Sequence, residues 1–252
     1  MSETLPFVSC ICCTYRHPKL LQNALACFLA QDYPKDRREL VILDDSGLVY
    51  PQKGESWELI SVMRRFSSLS EKHNAVASLA FNVKENKPPD IYCVWDDDDV
   101  YLPWHISTHV KALAGRVGAS KPSMILSTYG KKIHREISSG RFQGSLAFWR
   151  DTFKFVSGWP ITKRADFDQE FINRLSKSGT GFVDPCEYTD PSYVYRWETT
   201  ETSHCSAFMK SGGDESWYDR YAKEATFQTG DYKLSPKFDD ETRTIYDNGG
   251  KC

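Results

Sequence analysis

Ile91-Tyr92-Cys93-Val94-Trp95-Asp96-Asp97-Asp98-Asp99 joins a short apolar run to four consecutive carboxylates, with Pro103 close behind. Adjacent like charges repel, so these side chains need either bulk solvent or a cation. One reading is a solvated acidic turn, the usual fate of a charge block. The other follows from position. A short apolar strand that ends abruptly in carboxylates puts them at the carboxyl edge of a sheet, where open α/β folds bind ligands. Carboxylate oxygens are hard ligands suited to Mg²⁺ or Mn²⁺, ions that usually complete their shell with water and substrate phosphates. The second reading predicts a phosphorylated donor.

Working outward, the same strand-to-polar pattern recurs. Residues 7 to 13 read as a buried strand in which Cys10, Cys12 and Cys13 serve as small hydrophobes. Thr14-Tyr15-Arg16-His17-Pro18 breaks it, and Pro favours a helix start. The helix expected through Gln31 places Leu20, Leu21, Ala24, Leu25, Phe28 and Leu29 at three- and four-residue steps, one face against a sheet. A second strand, Glu39 to Leu43, ends in Asp44-Asp45-Ser46-Gly47. Trp57 to Met63 is a candidate third strand. An Ala-rich helix is expected over Ala75 to Val83, preceded by Ser70-Glu71-Lys72-His73-Asn74. Lys72 and His73 either face a phosphate at the helix amino terminus or form an ordinary surface turn. Pro103 starts another helix. Parallel strands joined by helices predict an α/β protein with a mostly parallel, Rossmann-like central sheet flanked by helices, in a single domain. No Gly-x-Gly-x-x-Gly and no Walker motif is present, so neither a dinucleotide fold nor a P-loop is supported.

The 252 residues, 40% of them hydrophobic, suffice for one sizeable core, and a formal charge of −2 suggests neither a nucleic-acid protein nor an acidic one. No apolar run approaches the ~20 residues of a membrane span, and the start of the chain lacks signal-peptide character, so a cytoplasmic protein is expected. The eight cysteines are read as reduced and structural. The average charge conceals an asymmetry. Between Lys121 and Arg164 stand nine Lys/Arg against two acids, Glu136 and Asp151, a balance of +7 that leaves the rest of the chain at −9.

Taken in order, Cys13-Thr14-Tyr15-Arg16, Gln31-Asp32-Tyr33-Pro34, Val41-Ile42-Leu43-Asp44-Asp45-Ser46, Glu71-Lys72-His73-Asn74 and Val94 to Asp99 followed by Leu102-Pro103 resemble the family-2 glycosyltransferases of the GT-A fold. No one motif is specific, but their order and spacing agree. The resemblance is detailed over residues 7 to 105, looser over 140 to 205 and absent beyond. It implies a nucleotide-sugar donor, UDP-glucose being the family prior, and Mn²⁺ or Mg²⁺. Thr14, Tyr15, Arg16, Asp44 and Asp45 would hold the nucleoside, with Lys72, His73, Asn74, Asp96 and Asp97 completing the donor site. Asp96 and Asp98 match the Asp-x-Asp motif as metal ligands, Asp98 the more direct, and His204 is a further candidate ligand. His73 stands where relatives often have Arg. The family's catalytic base maps onto Asp168, supported by Arg174, with Asp166 as the alternative and simple helix capping as the bland reading of both. Gly144 to Arg150 reads as a strand, Ser157 to Pro160 as a turn, and Pro191 to Trp197 as a late strand. Trp149, Arg150 and Trp159, with Lys131, Lys132 and Arg135, are the expected acceptor-side residues.

The resulting organisation is a donor-binding half over 1–105, an acceptor-binding half over 106–210 and a carboxyl-terminal extension over 211–252, a lid or acceptor arm. The basic window points to a polyanionic acceptor, a hydroxymethylated pyrimidine in duplex DNA, since phosphate contacts dominate nucleic-acid affinity. An anionic glycan or phosphorylated lipid is the alternative. A nucleotidyltransferase and a non-catalytic binding module are the competing classes. The first lacks its Gly-rich, basic loop after strand one, and the second leaves Asp96, Asp98 and Asp168 unexplained.

Overall fold

Strand alternation sorts the apolar residues onto two faces of one sheet. In β1 (Val8–Thr14), Val8, Cys10 and Cys12 enter one core while Ile11 enters the other. β2 (Arg38–Asp44) divides in the same way, Leu40 and Ile42 against Val41 and Leu43. A period of two is what a pleated strand buried on both faces produces. The computed structural model describes residues 5–116, 118–129, 132–138, 141–179, 181–196 and 227–228, with Lys19, Thr128, Tyr129, Lys132, His134, Phe227 and Gln228 described by their backbone alone.

Between and after these strands come α1 (Pro18–Leu29), β3 (Gln52–Lys53), β4 (Trp57–Ser61), α2 (Leu69–Leu79), β5 (Ile91–Val94), β6 (Val100–Tyr101) and α3 (His105–Leu113). The chain continues through β7 (Ala119–Ser120), β8 (Met124–Tyr129), β9 (Lys132–Ile137), β10 (Ala147–Trp149), α4 (Arg150–Phe155), α5 (Phe167–Lys177), β11 (Phe182–Val183), β12 (Tyr193–Arg196) and β13 (Phe227–Gln228). The large sheet has eight strands in the order β11-β7-β10-β5-β1-β2-β4-β3. Its centre, β5-β1-β2-β4, is parallel, so these strands end together at one edge. β10 runs antiparallel to β5. α1 and α3 cover one face through Leu21, Ala24, Phe28, Ile106, Val110 and Leu113. α2 and α5 cover the other through Val76, Ala77, Phe167, Phe171, Ile172 and Leu175. Each buried Leu, Ile, Val or Phe among these contributes up to roughly 1.5–3 kcal/mol, so the helices are held chiefly by these faces.

The expected mostly parallel α/β architecture is what the chain adopts, with differences of detail. The helix expected over Ala75–Val83 begins six residues earlier because Ser68 caps it. The Ser68 hydroxyl accepts from the Glu71 amide at 3.1 Å, and the Glu71 carboxylate accepts from the Ser67 amide at 3.1 Å, close to a capping box. The strand expected over Gly144–Arg150 shortens to Ala147–Trp149, since residues 143–145 form a 3₁₀ turn. A second sheet, β13-β9-β8-β12-β6, was not legible in the sequence. Its β6 follows the acidic run directly and pairs with β12, which brings the end of β12 against the four carboxylates.

Candidate active site

The acidic loop leaves β5 through Trp95, whose fully buried ring stacks on Tyr101 at 3.9 Å with 17° between planes and donates its indole N–H to Ala24 O at 3.1 Å. This anchor sets where the four carboxylates emerge at the carboxyl edge. Asp97 Oδ2 accepts from the Thr14 hydroxyl at 2.6 Å and lies 3.3 Å from His17 Nδ1. Asp99 accepts from the Tyr193 hydroxyl and from the Arg196 amide, the latter at 3.1 Å. Arg196 Nε donates to the Asp98 carbonyl. The Asp96 amide donates to the Tyr101 hydroxyl at 2.6 Å. Asp97, Asp98 and Asp99 are buried, so the turn is not a solvated one. Burial, reinforced by the neighbouring Asp98 charge, pushes the Asp97 carboxyl up against the opposing pull of His17 and Thr14.

Beside this loop, Thr14 and Asp44 end adjacent parallel strands in register. Asp44 is fully buried. Its Oδ2 accepts from the Ser46 amide at 3.1 Å and hydroxyl at 2.8 Å, closing the turn after β2, while its Oδ1 has no hydrogen-bond partner among the described residues. Asp45 accepts from the Phe66 amide at 3.0 Å and from Lys72 Nζ, which also donates to the Thr14 carbonyl at 2.5 Å. Lys72 is 3% exposed, so its charge ties the ends of β1 and β2 together rather than facing open solvent. Tyr15 presents its ring to two guanidinium groups, Arg65 at 3.7 Å and Arg16 at 5.2 Å. Arg16 itself is exposed and holds φ 61°, a left-handed conformation uncommon for a residue with a side chain.

His73 is buried and stacks on Trp159 at 4.9 Å, with Nε2 3.2 Å from Gln143 Nε2. Burial, with Lys72 next to it, pushes its pKa down to about 3, so the ring is neutral and is not a cationic phosphate contact. Asn74 forms a two-way clamp, accepting from the Trp159 amide and donating to the Trp159 carbonyl, both at 2.9 Å. Gly158 makes that clamp possible: it holds φ +67°, and a Cβ there would sit 2.5 Å from Asn74 Oδ1.

Asp168 and Asp166 differ sharply. Asp166 is exposed at the start of α5 and is gripped by Arg164 through Nε at 2.9 Å and Nη2 at 2.5 Å, which holds its carboxyl below the usual range. It makes no side-chain cap to the helix. Asp168, half-buried in the first turn, accepts from Gln169 Nε2 at 3.0 Å, and the same nitrogen donates to the Arg141 carbonyl at 2.8 Å. Arg174 pairs with Glu170 at 2.8 Å rather than with Asp168. Three residues beyond Arg141, Gly144 packs against the acidic loop so closely that a Cβ would collide with Asp96 Oδ2. The Cα atoms of Arg141 and Gly144 lie at most about 11 Å apart by chain length. Segment 141–144 thus links Asp168 to Asp96.

The expected acceptor residues do not gather here. β10 is antiparallel to β5, with Trp149 opposite Ile91, which puts Trp149 and Arg150 at the amino edge. Five residues of β5 and its extension separate that edge from Asp96, about 17 Å at strand rise. There they line a cavity of about 250 Å³ with Asp90, Arg116 and Thr152. Trp159 is a buried wall, stacked on Phe171 at 4.4 Å. Arg135 lies on β9 opposite Leu126, and Lys132 lies on the same strand. Lys131 and His204 fall outside the described residues. Nor does the basic window form one face, since Arg150 stands at the amino edge while Arg141 pairs with buried Glu136 at 3.4 Å and Arg164 with Asp166. The residues that sequence reasoning missed are Tyr101, Gln143, Gly144, Tyr193 and Arg196. Pairing of β12 with β6 brings Tyr193 and Arg196 to the loop, the turn before β10 brings Gly144 there, and Gln143 joins His73 and Trp159 instead.

The donor set suits a hard divalent ion bound partly by substrate. Among the described residues no three His, Cys, Asp or Glu side chains form a ready metal cage. Ions such as Mg²⁺ take only one or two carboxylates and complete their shell with phosphates and water. The buried carboxylates at the loop fit that mode, with the Asp96 carboxylate lodged where Gly144 lacks a side chain.

No protein-family model matches the chain, and no curated protein sequence does. Solved structures do match in fold. One is the mannosyltransferase PcManGT from Pyrobaculum calidifontis in complex with GDP-Man and Mn²⁺, with 20% identity, a TM-score of 0.56 and coverage of 76% of this chain and 57% of that one. Another is S. aureus TarS 1-349 in complex with UDP-GlcNAc, with 14% identity, a TM-score of 0.59 and coverage of 78% and 60%. The fold is that of the GT-A glycosyltransferases. The chain spans about three-fifths of the length of these two structures. Among the described residues, no helix is long and apolar enough to cross a membrane.

Proposed function

We propose that this protein is a metal-dependent, inverting glycosyltransferase that moves a sugar from a nucleoside-diphosphate donor, UDP-sugar first among them, to an acceptor hydroxyl. The observation that carries this reading is the anchored acidic loop at the carboxyl edge of the sheet. Asp97 and Asp99 are tied to Thr14, His17, Tyr193 and Arg196, which fixes the loop that carries Asp96 and Asp98, the pair that would hold a divalent cation. The GT-A fold and the donor complexes of its structural neighbours support the same assignment.

In this scheme the nucleoside lies over Thr14, Tyr15, Arg16, Asp44 and Asp45. Asp44 Oδ1, which has no hydrogen-bond partner among the described residues, accepts from a ribose hydroxyl or a base N–H. Lys72 serves by fixing Asp45 and the end of β1, and Asn74 and His73 by fixing the Trp159 wall. When bound, the cation supplies charge neutralisation of the departing nucleoside diphosphate. Asp168 takes the proton from the acceptor hydroxyl as its oxygen bonds to the anomeric carbon and the bond from that carbon to the diphosphate breaks. One displacement with one base inverts the anomeric centre and needs no covalent carboxylate. Asp166 is the weaker candidate base because Arg164 already stabilises its ionised form. His204 is proposed as an additional ligand to the cation. Residues 1–105 are proposed as the donor half, 106–210 as the acceptor half and 211–252 as a lid or acceptor arm.

The proposed acceptor is a hydroxymethylated pyrimidine in duplex DNA, whose exocyclic hydroxyl is presented by flipping the base from the stack. Its support is narrower than the whole +7 window, which does not form one face: Arg141 and Arg164 stand next to the Asp168 turn. The test incubates the protein with nucleotide sugars and Mn²⁺ alongside modified duplex, unmodified duplex or anionic glycan, followed by digestion and mass analysis. A hexose on the modified nucleoside supports the DNA acceptor. Transfer to glycan alone replaces it while keeping the enzyme class.

A further inference from the structure

We infer that Tyr193 and Arg196 of β12, together with Tyr101 and Gly144, are positioning residues that set the direction of the Asp96 and Asp98 carboxylates toward a divalent cation. This rests on the glycosyltransferase reading above. Four successive carboxylates repel one another and would splay if only β5 held them. They are instead fixed at both ends by groups from three other segments. At the start, the Asp96 amide donates to the Tyr101 hydroxyl at 2.6 Å, and that hydroxyl donates onward to the Gly144 carbonyl at 3.2 Å. At the end, Tyr193 and the Arg196 amide donate to the two oxygens of Asp99, and Arg196 Nε donates to the Asp98 carbonyl.

Both phenols are fully buried, so neither hydrogen bond is exchanged with water. Gly144 closes the arrangement. A Cβ there would meet Asp96 Oδ2 and come within 2.8 Å of the Tyr193 hydroxyl, so a side chain at 144 displaces the loop from both sides. Residues behind metal ligands commonly alter metal affinity when changed, by roughly 10- to 100-fold.

The experiment is a Mn²⁺ titration followed by electron paramagnetic resonance, with and without UDP, on the wild type, Tyr193→Phe, Gly144→Ala and Tyr33→Phe. Tyr33 donates its hydroxyl to Pro6 O at 2.6 Å near the amino edge, so its variant reports the loss of a phenol hydrogen bond away from the loop. Expected is a Mn²⁺ Kd raised roughly 10- to 100-fold in Tyr193→Phe and Gly144→Ala, and unchanged in Tyr33→Phe, with Tyr193→Phe and Tyr33→Phe melting within a few degrees of each other. A Kd within twofold of wild type in both loop variants overturns the inference while leaving metal binding intact. If the wild type takes up no Mn²⁺ with or without UDP, the reading beneath it falls as well.

Discussion

Taking the protein from pH 7.5 to 5.0 strips stability through three histidines buried as neutral rings. His73 and His109 are each pushed down to about 3 by burial, and His105 well below its ordinary value by burial and the adjacent His109. The Nδ1 atoms of His105 and His109 meet Ser192 and Ser120 at 2.9 and 2.8 Å, while their Nε2 atoms have no hydrogen-bond partner among the described residues. In the unfolded chain each titrates near 6.5, so between pH 6.5 and 3 the unfolded state binds more protons than the native one. Stability is therefore complete above about pH 6.5 and falls as pH drops. At about 1.4 kcal/mol per pH unit, His73 and His109 each remove about 2 kcal/mol by pH 5.0, and His105 acts in the same direction. That is a large share of a typical total of about 5–15 kcal/mol. With a urea m-value of roughly 2–3 kcal/mol/M, those two alone lower the midpoint by roughly 1.3–2 M. Glu39, whose carboxyl burial pushes up, works in the opposite sense because its native form takes up a proton more readily. The histidine contribution is therefore read from His109→Gln, which should flatten the pH slope by about 1.4 kcal/mol per unit. A pH slope in His109→Gln equal to that of the wild type, or an NMR titration of His109 near 6.5, would refute the reasoning.

Lys72→Met leaves Asp45 as a buried carboxylate without its cation, and should cost about 3–5 kcal/mol, read as a urea midpoint shift at pH 7.5. Asp168→Asn should lower kcat by roughly 10²- to 10⁴-fold with donor binding retained, whereas Asp166→Asn should leave kcat within a few-fold. The reverse pattern would move the base to Asp166. Asp98→Asn is close to isosteric and should keep the melting temperature while removing Mn²⁺-dependent turnover. Activity that persists undiminished in EDTA would contradict this.

Much of the fold was legible because burial on both sheet faces writes itself as uninterrupted apolar runs. Phe7 to Cys13, Glu39 to Leu43 and Ile91 to Val94 fall within a residue or two of β1, β2 and β5. The carboxyl edge followed from Asp44, Asp45 and Asp96 standing just after those runs. The β8–β9 hairpin was not legible, since Ser127 to Ile137 is largely polar and basic and only β8 gains a place by pairing with β12, β9 being held by β8. Antiparallel register also hid from the sequence: Trp149 and Arg150 follow a strand, and only its direction against β5 decides which edge they reach. Lys72 and His73 were readable as a helix start, but not as buried groups, because the Ser68 cap draws the helix back and turns both inward.

The central claim is sugar transfer governed by the acidic loop, and its most direct measurement is nucleoside-diphosphate release from a panel of UDP- and GDP-sugars, with Mn²⁺ or with EDTA. The wild type is compared with Asp98→Asn in the presence of candidate acceptors, and product mass is recorded in parallel. The account predicts release and a matching acceptor mass gain of one sugar with at least one donor, abolished by EDTA and by Asp98→Asn. Equal release from wild type and Asp98→Asn, or Mn²⁺ and UDP binding in both with neither donor hydrolysis nor transfer in the wild type, would contradict it.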